Sequence, residues 1–184
     1  MESDRLRWNE KHAAKTGKGE PDVFFLKHFK SLHPGRTLDL ACGRGRHACF
    51  LAARGHHVTA VDISDVAIQY CRTSALEAGL TINLLRADLD NPADMFPQEH
   101  FHNVVCINFR PADALLQQLP DWLKPGGFFL WCSFNEIQAS VSGFPEHLAL
   151  HKEAFVQLPG LKCLVYERFE DHTGHRDAYL FIKP

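Results

Sequence analysis

Apolar and polar positions along the chain fall into three rhythms. The first fifteen residues, MESDRLRWNEKHAAK, are charged throughout; they predict a polar helix ending near Lys15 and carry no apolar h-region of the kind found in export signals. A Thr-Gly-Lys-Gly linker follows, and then EPDVFFLKHFKSL, where Val23, Phe24, Leu26, His28 and Phe29 predict a half-buried helix ended by Pro34-Gly35.

From Arg36 the pattern alternates regularly between apolar runs and helical stretches. RTLDLA predicts a first strand, and Gly45 to Arg54 a helix stopped by Gly55. HVTAVD predicts a second strand, followed by a helix capped by Ser64, with Ile68, Cys71, Ala75 and Ala78 on one face and Gly79 as its stop. TINLLRA and NVVCIN predict the third and fourth strands. Pro111 suits the first position of a helix carrying Leu115 and Leu119, Pro120 is expected to break that helix, and LKPGG to turn the chain into a fifth strand, FFLWCSF.

Strands alternating with helices imply right-handed βαβ units and a mostly parallel sheet covered on both faces, so its strands read as apolar runs. The end of the chain breaks that rhythm. LKCLVYERF and RDAYLFIK are separated only by EDHTGH, too short for the dozen or more residues of a parallel crossover, so they predict an antiparallel hairpin at one edge. No internal repeat or low-complexity tract interrupts the pattern.

Composition narrows the classes. A chain of 184 residues with 45% hydrophobic content supports one core, since domains most often run to about 100–150 residues. A net charge of -2 lacks the basic excess of a protein that grips phosphate backbones, which favours a small partner and no nucleic acid. The six cysteines lie scattered with no C-x-x-C pair, as expected of a reduced, cytoplasmic protein, and no stretch approaches the roughly 18 apolar residues of a membrane span. Among twelve histidines, His147 and His151 stand at a spacing that can place two metal ligands on one helix face. No third-ligand motif accompanies them, so solvated surface histidines and no metal are expected.

The chemistry concentrates in LDLACGRGRHA. Gly43, Gly45 and Ala48 satisfy G-x-G-x-x-A, a turn that brings backbone close to a dinucleotide pyrophosphate and serves equally for a nucleoside without phosphate. Asp62, 19 residues after Gly43 at the end of the second strand, can accept hydrogen bonds from both hydroxyls of a ribose. Asp39, inside the first strand, can organise the loop or meet a cationic ligand. Asp88, in RADL after the third strand, suits an exocyclic amine. The terminal hairpin is expected to close the domain without room for a separate substrate domain.

Together these stretches resemble the class I S-adenosylmethionine-dependent methyltransferases, close to the small single-domain members similar to tellurite-resistance and small-molecule methyltransferases. LDLACGRGRHA resembles the family's first motif, VTAVDIS its second-strand acidic motif, RADL its adenine motif, and LKPGGFFLW its fifth-strand entry, covering Arg36 to Phe134. The resemblance implies a Rossmann-like, doubly wound α/β fold with a mostly parallel seven-stranded sheet and a C-terminal antiparallel β-hairpin. It implies one domain over residues 1–184, with a helical lid in 1–33 and the core in 34–184. It also implies S-adenosylmethionine as cofactor, a small-molecule acceptor, and methyl transfer by in-line displacement needing no obligatory catalytic base.

By the same resemblance, the backbone around Ala41, Gly43 and Gly45 meets the methionine portion and nearby ribose, Asp62 takes the ribose hydroxyls, Ile63 the adenine face and Asp88 the adenine amine, with Asp39 among the cofactor-binding residues. Asn108 faces the methionyl group or the substrate. Trp8, His47, Phe109 and Arg110 are candidates for the acceptor side, with Arg46 beside His47 able to approach a carboxylate or substrate, and Arg110 is the expected charge partner of an anionic or thiol-bearing acceptor. One position departs from the family: its usual first glycine is Ala41 here, which narrows the accessible φ. A nicotinamide-dependent oxidoreductase and a non-catalytic cofactor-binding module are the alternatives.

Overall fold

The fold is given by a computed structural model that describes residues 2–17, 19–90, 92 and 95–184. The strands are β1 (Arg36–Leu40), β2 (His57–Asp62), β3 (Ile82–Arg86), β4 (Phe101–Ile107), β5 (Leu123–Phe134), β6 (Lys162–Asp171) and β7 (Gly174–Ile182). Among the described residues they form one seven-stranded sheet in the order β3-β2-β1-β4-β5-β7-β6. The first five pair in parallel, while β7 runs antiparallel to both β5 and β6, so the mixed sheet with its terminal hairpin matches the rhythm of the sequence. The hairpin loop is tighter than expected, with only His172 and Thr173 between the two strands.

Why the central strands read as unbroken apolar runs is visible on β4 and β5. Val104, Cys106, Phe129 and Trp131 face one core cluster with Leu115, Leu119 and Trp122; Val105, Ile107, Leu130 and Cys132 face the other, with Phe24, Phe25, Ala48 and Leu51. Both faces are covered, and each large side chain so buried contributes about 1.5–3 kcal/mol. The strand order reverses between β1 and β4, which opens a crevice beyond their carboxyl ends.

The helices are α1 (Glu2–Ala13), α2 (Val23–His28), α3 (Arg46–Ala52), α4 (Asp65–Glu77), α5 (Asp113–Trp122) and α6 (Glu136–Ser142). Ser64 caps α4 as expected, its hydroxyl accepting from the Ala67 amide at 3.1 Å. Ile68, Cys71 and Ala75 are buried beneath it, whereas Ala78 is exposed.

Five points differ from expectation. In α2 the apolar residues Val23 and Leu26 face solvent, and the buried pair is Phe24 and Phe25. Asp22 sets that rotation by capping the Phe24 amide at 2.9 Å, and Phe25 packs edge-on against His47 and Phe50. Pro111 lies outside α5, which starts at Asp113 after Ala112, and Pro120 does not break it. A proline in the last turn forfeits one bond to the Leu116 carbonyl, and burial of Leu119 and Trp122 around it outweighs that loss. LKPGG does not precede β5 but bulges out of it: Leu123 pairs with Phe101 and Phe128 with Asn103, leaving Lys124–Gly127 without partners on β4. Finally, α6 went unforeseen, although Asn135 caps it through the Ile137 and Gln138 amides.

Candidate functional site

The turn after β1 is built on left-handed backbone. Ala41 adopts φ 53°, Gly43 54° and Gly45 84°. Ala41 thus holds, as a non-glycine residue, the conformation for which the usual glycine is suited, at a cost of about 1–2 kcal/mol. At Gly45 there is also no room for a side chain, because a Cβ would lie 2.2 Å from the Cys71 sulfur. At Gly43 a Cβ would meet the His12 ring at 3.3 Å, so this glycine lets α1 approach the loop closely.

Asp62 ties the loop to β2. One carboxylate oxygen accepts from the Gly43 amide at 2.8 Å and the other from the Ser64 amide at 2.9 Å. Burial raises its pKa, opposed by the amides of Ser64, Gly43 and Ile63 and by the Lys15 charge. A carboxylate offers about four acceptor sites, so the amides leave capacity for a further donor. Asp39 is fully buried behind the loop, where desolvation pushes its carboxyl up to about 8 against the pull of Arg46 and the Ala48 amide, and its Oδ2 has no hydrogen-bond partner. Of its two expected roles, organising the loop is the one its position suits.

Beyond the ends of β2 and β3, Ile63 and Asp88 line a cavity of about 190 Å³ together with Arg86, Glu2 and Arg5. Two sequence-predicted residues meet there. A broader groove of about 440 Å³ runs along one side of α4, past Val66, Gln69, Tyr70 and Thr73. That groove is lined by a single helix and does not include the glycine turn.

The N-terminal segment covers the loop. Arg5 pairs with Asp65, the Asn9 carbonyl oxygen accepts from the Ser64 hydroxyl at 2.7 Å, and Arg44 donates to the Lys15 carbonyl. His12 is buried over Gly43, and desolvation, then Lys15, Arg44 and Lys11, lower its pKa to about 4. Trp8 lies half-buried on α1, tilted against His12 at 5.9 Å with the Lys11 ammonium 4.6 Å from its ring centre.

On the acceptor side the structure redistributes the candidates. His47 is buried and its Nε2 accepts from the Asp22 amide at 3.0 Å, which excludes it from the crevice surface. Burial, then Arg46 and Arg176, hold its pKa well below the ordinary value. The Arg110 guanidinium donates to Asp113 at 3.3 Å and to the Pro111 carbonyl at 3.2 Å, and lies 5.6 Å from the Phe155 ring centre. Phe109 packs against the core, while its carbonyl accepts from the Trp131 indole at 2.9 Å. Asn108 is exposed at the end of β4 with φ 63°, its amide bonded to the Cys132 carbonyl. His147 lies in a single 3-10 turn, Glu146–Leu148, and His151 beyond it, so the two do not share an α-helix face; His151 pairs with Glu146 at 3.7 Å, and no metal-ligand cluster occurs among the described residues.

Sequence reasoning missed a buried ion pair at this end of the sheet. Arg176, fully buried at the start of β7, donates to Asp22 and to the Cys132 sulfur, each at 3.0 Å, and to the Thr173 hydroxyl at 2.8 Å. It joins the N-terminal segment to the hairpin, and no local pattern marked it, since Arg176 stands between the polar His175 and Asp177.

Residues 37–127 match the methyltransferase domain family. The chain is 27% identical over 122 residues to the ubiquinone biosynthesis O-methyltransferase of Yersinia pestis (strain Pestoides F), a match covering 61% of this chain and 48% of that protein. The chain thus spans about half the length of the curated relatives it matches. In structure it is similar to magnesium protoporphyrin IX methyltransferase from Synechocystis PCC 6803, solved with bound S-adenosylmethionine, with a TM-score of 0.72 at 16% identity over 100% of this chain and 96% of that one. It is also similar to TehB from Haemophilus influenzae, with a TM-score of 0.74 at 17% identity over 98% and 67% of the two chains. No described helix is long and apolar enough to cross a membrane.

Proposed function

We propose, from the premise that residues 37–127 form a class I S-adenosylmethionine-dependent methyltransferase domain, that this chain transfers a methyl group to a small-molecule acceptor in the cytoplasm. S-adenosylmethionine is the cofactor of such a domain, and the dinucleotide reading of Gly43, Gly45 and Ala48 receives no support from the relatives. The observation that carries the proposal is the Gly43–Asp62 hydrogen bond at 2.8 Å with the cavity of Ile63 and Asp88 beside it. The residues present fit the group: an apolar face at Ile63, carboxylates at Asp62 and Asp88, a loop stripped of side chains at Gly43 and Gly45, and no phosphate to be neutralised.

When bound, the cofactor supplies an electrophilic methyl on a sulfonium with a neutral leaving group. The chain's own residues then position rather than activate. Asp62 holds the ribose hydroxyls, Ile63 packs on the base, Asp88 accepts from its amine, and α1 with His12 and Asn9 excludes water from above. Fixing two reactants in line supplies about 7–11 kcal/mol of a barrier, so no protein base is required.

The segments that follow β4 and β5, including Asn108 and Phe144, with Phe134 at the end of β5, enclose the acceptor and lack the dense basic run of a nucleic-acid surface. The experiment is a panel of phenols, thiols, amines and carboxylic acids incubated with the protein and S-adenosylmethionine, reading S-adenosylhomocysteine release. Acceptor-dependent release supports the proposal. Saturable cofactor binding with no release across the panel favours the binding module instead.

A further inference from the structure

A fully buried carboxylate stands on the opposite face of β7 from Arg176. Asp177 precedes Tyr179 by two residues and so shares its face, towards the core beneath α5 and the connection between β5 and β6. It pairs in register with Ser133, one residue short of the crevice end of β5. Four hydrogen bonds converge on it. Its Oδ1 accepts from Asn135 Nδ2 at 2.9 Å and from Arg168 Nε at 2.7 Å, and its Oδ2 accepts from the Tyr166 hydroxyl and from Arg168 Nη2, each at 2.9 Å. Four donors fill the acceptor sites of a carboxylate and leave none for a ligand.

Each donor is tied in turn to the connection, residues 135–161. Asn135 caps α6 through the Ile137 and Gln138 amides. Arg168 also reaches Glu136, the first residue of α6, at 2.8 Å. The Tyr166 hydroxyl accepts from the Glu153 amide at 3.3 Å, where the chain turns through left-handed backbone at φ 58°. Between α6 and β6 the regular structure is one 3-10 turn, Glu146–Leu148, and an isolated bridge from Asn135 to Leu150. Connections this long with so little structure of their own are commonly functional. One further tie is independent of Asp177: Gln138 Oε1 accepts from the His175 amide at 2.9 Å. A buried ion pair is a weak source of net stability, because desolvation offsets the attraction. What the Asp177 network supplies is a fixed position for two separate stretches of the connection.

We infer that Asp177 is the positioning residue of the acceptor wall, a role that rests on the segment after β5 enclosing the acceptor. Through Asn135, Arg168 and Tyr166 it sets where α6 and the Glu153 turn stand at the crevice, and thereby which acceptor fits, while touching neither acceptor nor cofactor.

Two variants of the full chain test it: Asp177→Asn, which disturbs the whole network, and Tyr166→Phe, which cuts only the limb to Glu153 and leaves the carboxylate its other donors. Hydrogen exchange is followed by mass spectrometry with S-adenosylhomocysteine bound. Initial rates are taken with whichever phenol, thiol, amine or carboxylic acid of the panel wild type methylates fastest. Tyr166→Phe should speed exchange around Glu153 by on the order of 10-fold and leave α6 as it is, whereas Asp177→Asn should speed both. In each variant kcat/KM for the acceptor should fall by on the order of 10–100-fold, as a misplacement of about 1 Å produces, with the KM for S-adenosylmethionine and the affinity for S-adenosylhomocysteine unchanged. A role in stability alone would move the cofactor and acceptor parameters together. Exchange or acceptor kcat/KM as in wild type, or a rise in cofactor KM matching the acceptor's loss, overturns the inference. If Asp177→Asn does not fold, Tyr166→Phe decides by the same two readouts. A wild type that methylates no member of the panel overturns the proposed function itself, before any variant is compared.

Discussion

Replacing Asp39 by Asn should stabilise the ligand-free protein, and by an amount that grows with pH. The carboxyl is fully buried, its Oδ2 has no partner, and desolvation pushes its pKa from an ordinary 3.8 to about 8. A folded-state value above the unfolded one means that the group's contribution to stability is complete below the unfolded pKa and is lost as pH rises towards 8. Treated as a single site, that shift costs about 4 kcal/mol near pH 7 and about 2 kcal/mol near pH 5. An amide cannot ionise and escapes the cost at both. Loss of the interaction with the Ala48 amide subtracts the same amount at each pH, so the pH dependence of the difference isolates the ionisation. Urea denaturation of both proteins near pH 5 and pH 7 measures it. The stability of Asp39→Asn relative to wild type should rise by about 2–3 kcal/mol between the two. A difference that is flat in pH, or that shrinks on going up, refutes the reasoning.

Two substitutions in the turn should have opposite signs. Ala41→Gly relieves the strain of φ 53° and should raise stability by up to about 1 kcal/mol, whereas Gly45→Ala combines a φ of 84° with a Cβ 2.2 Å from the Cys71 sulfur and should cost several kcal/mol by thermal melting, partly restored by Cys71→Ala. Asp22→Asn leaves the buried Arg176 charge with only the Asp171 carboxylate, 3.7 Å away, and removes one end of the tie between the N-terminal segment and the hairpin. It should cost about 3–5 kcal/mol in chemical denaturation, and a loss under about 1 kcal/mol would show that the pair is replaceable.

Much of the fold was legible because its cues are local. The two-sided burial of β4 and β5 makes those strands unbroken apolar runs, and the Ser64 cap and the short EDHTGH connection identify α4 and the hairpin without tertiary information. The errors came where packing overrides a local rule. Pro120 continues α5 because Leu119 and Trp122 are buried around it, and LKPGG is absorbed as a bulge because β4 pairs on both sides of it.

The candidate site divides the same way. Gly43, Gly45, Asp62, Ile63 and Asp88 stand at strand ends, where chain order alone predicts proximity, and the structure gathers them. His47 was misjudged because its partner, the Asp22 amide, is set by a tertiary contact that periodicity does not encode, and the surroundings of Arg110, Asp113 and the Phe155 ring, are likewise set by loop geometry. The Asp22–Arg176 pair joins opposite ends of the chain, and the cover formed by α1 depends on Arg5 and Asn9 meeting α4 across the fold.

The central claim is that the turn between β1 and α3 binds the nucleoside of S-adenosylmethionine. Its most direct test is a calorimetric titration of wild type and Asp62→Ala with S-adenosylhomocysteine and, separately, with NAD. The account predicts saturable binding of S-adenosylhomocysteine to wild type, affinity reduced by on the order of 10-fold or more in a folded Asp62→Ala, and no heat from NAD. Binding of NAD without S-adenosylhomocysteine, or an Asp62→Ala protein that binds S-adenosylhomocysteine as wild type does, would contradict it.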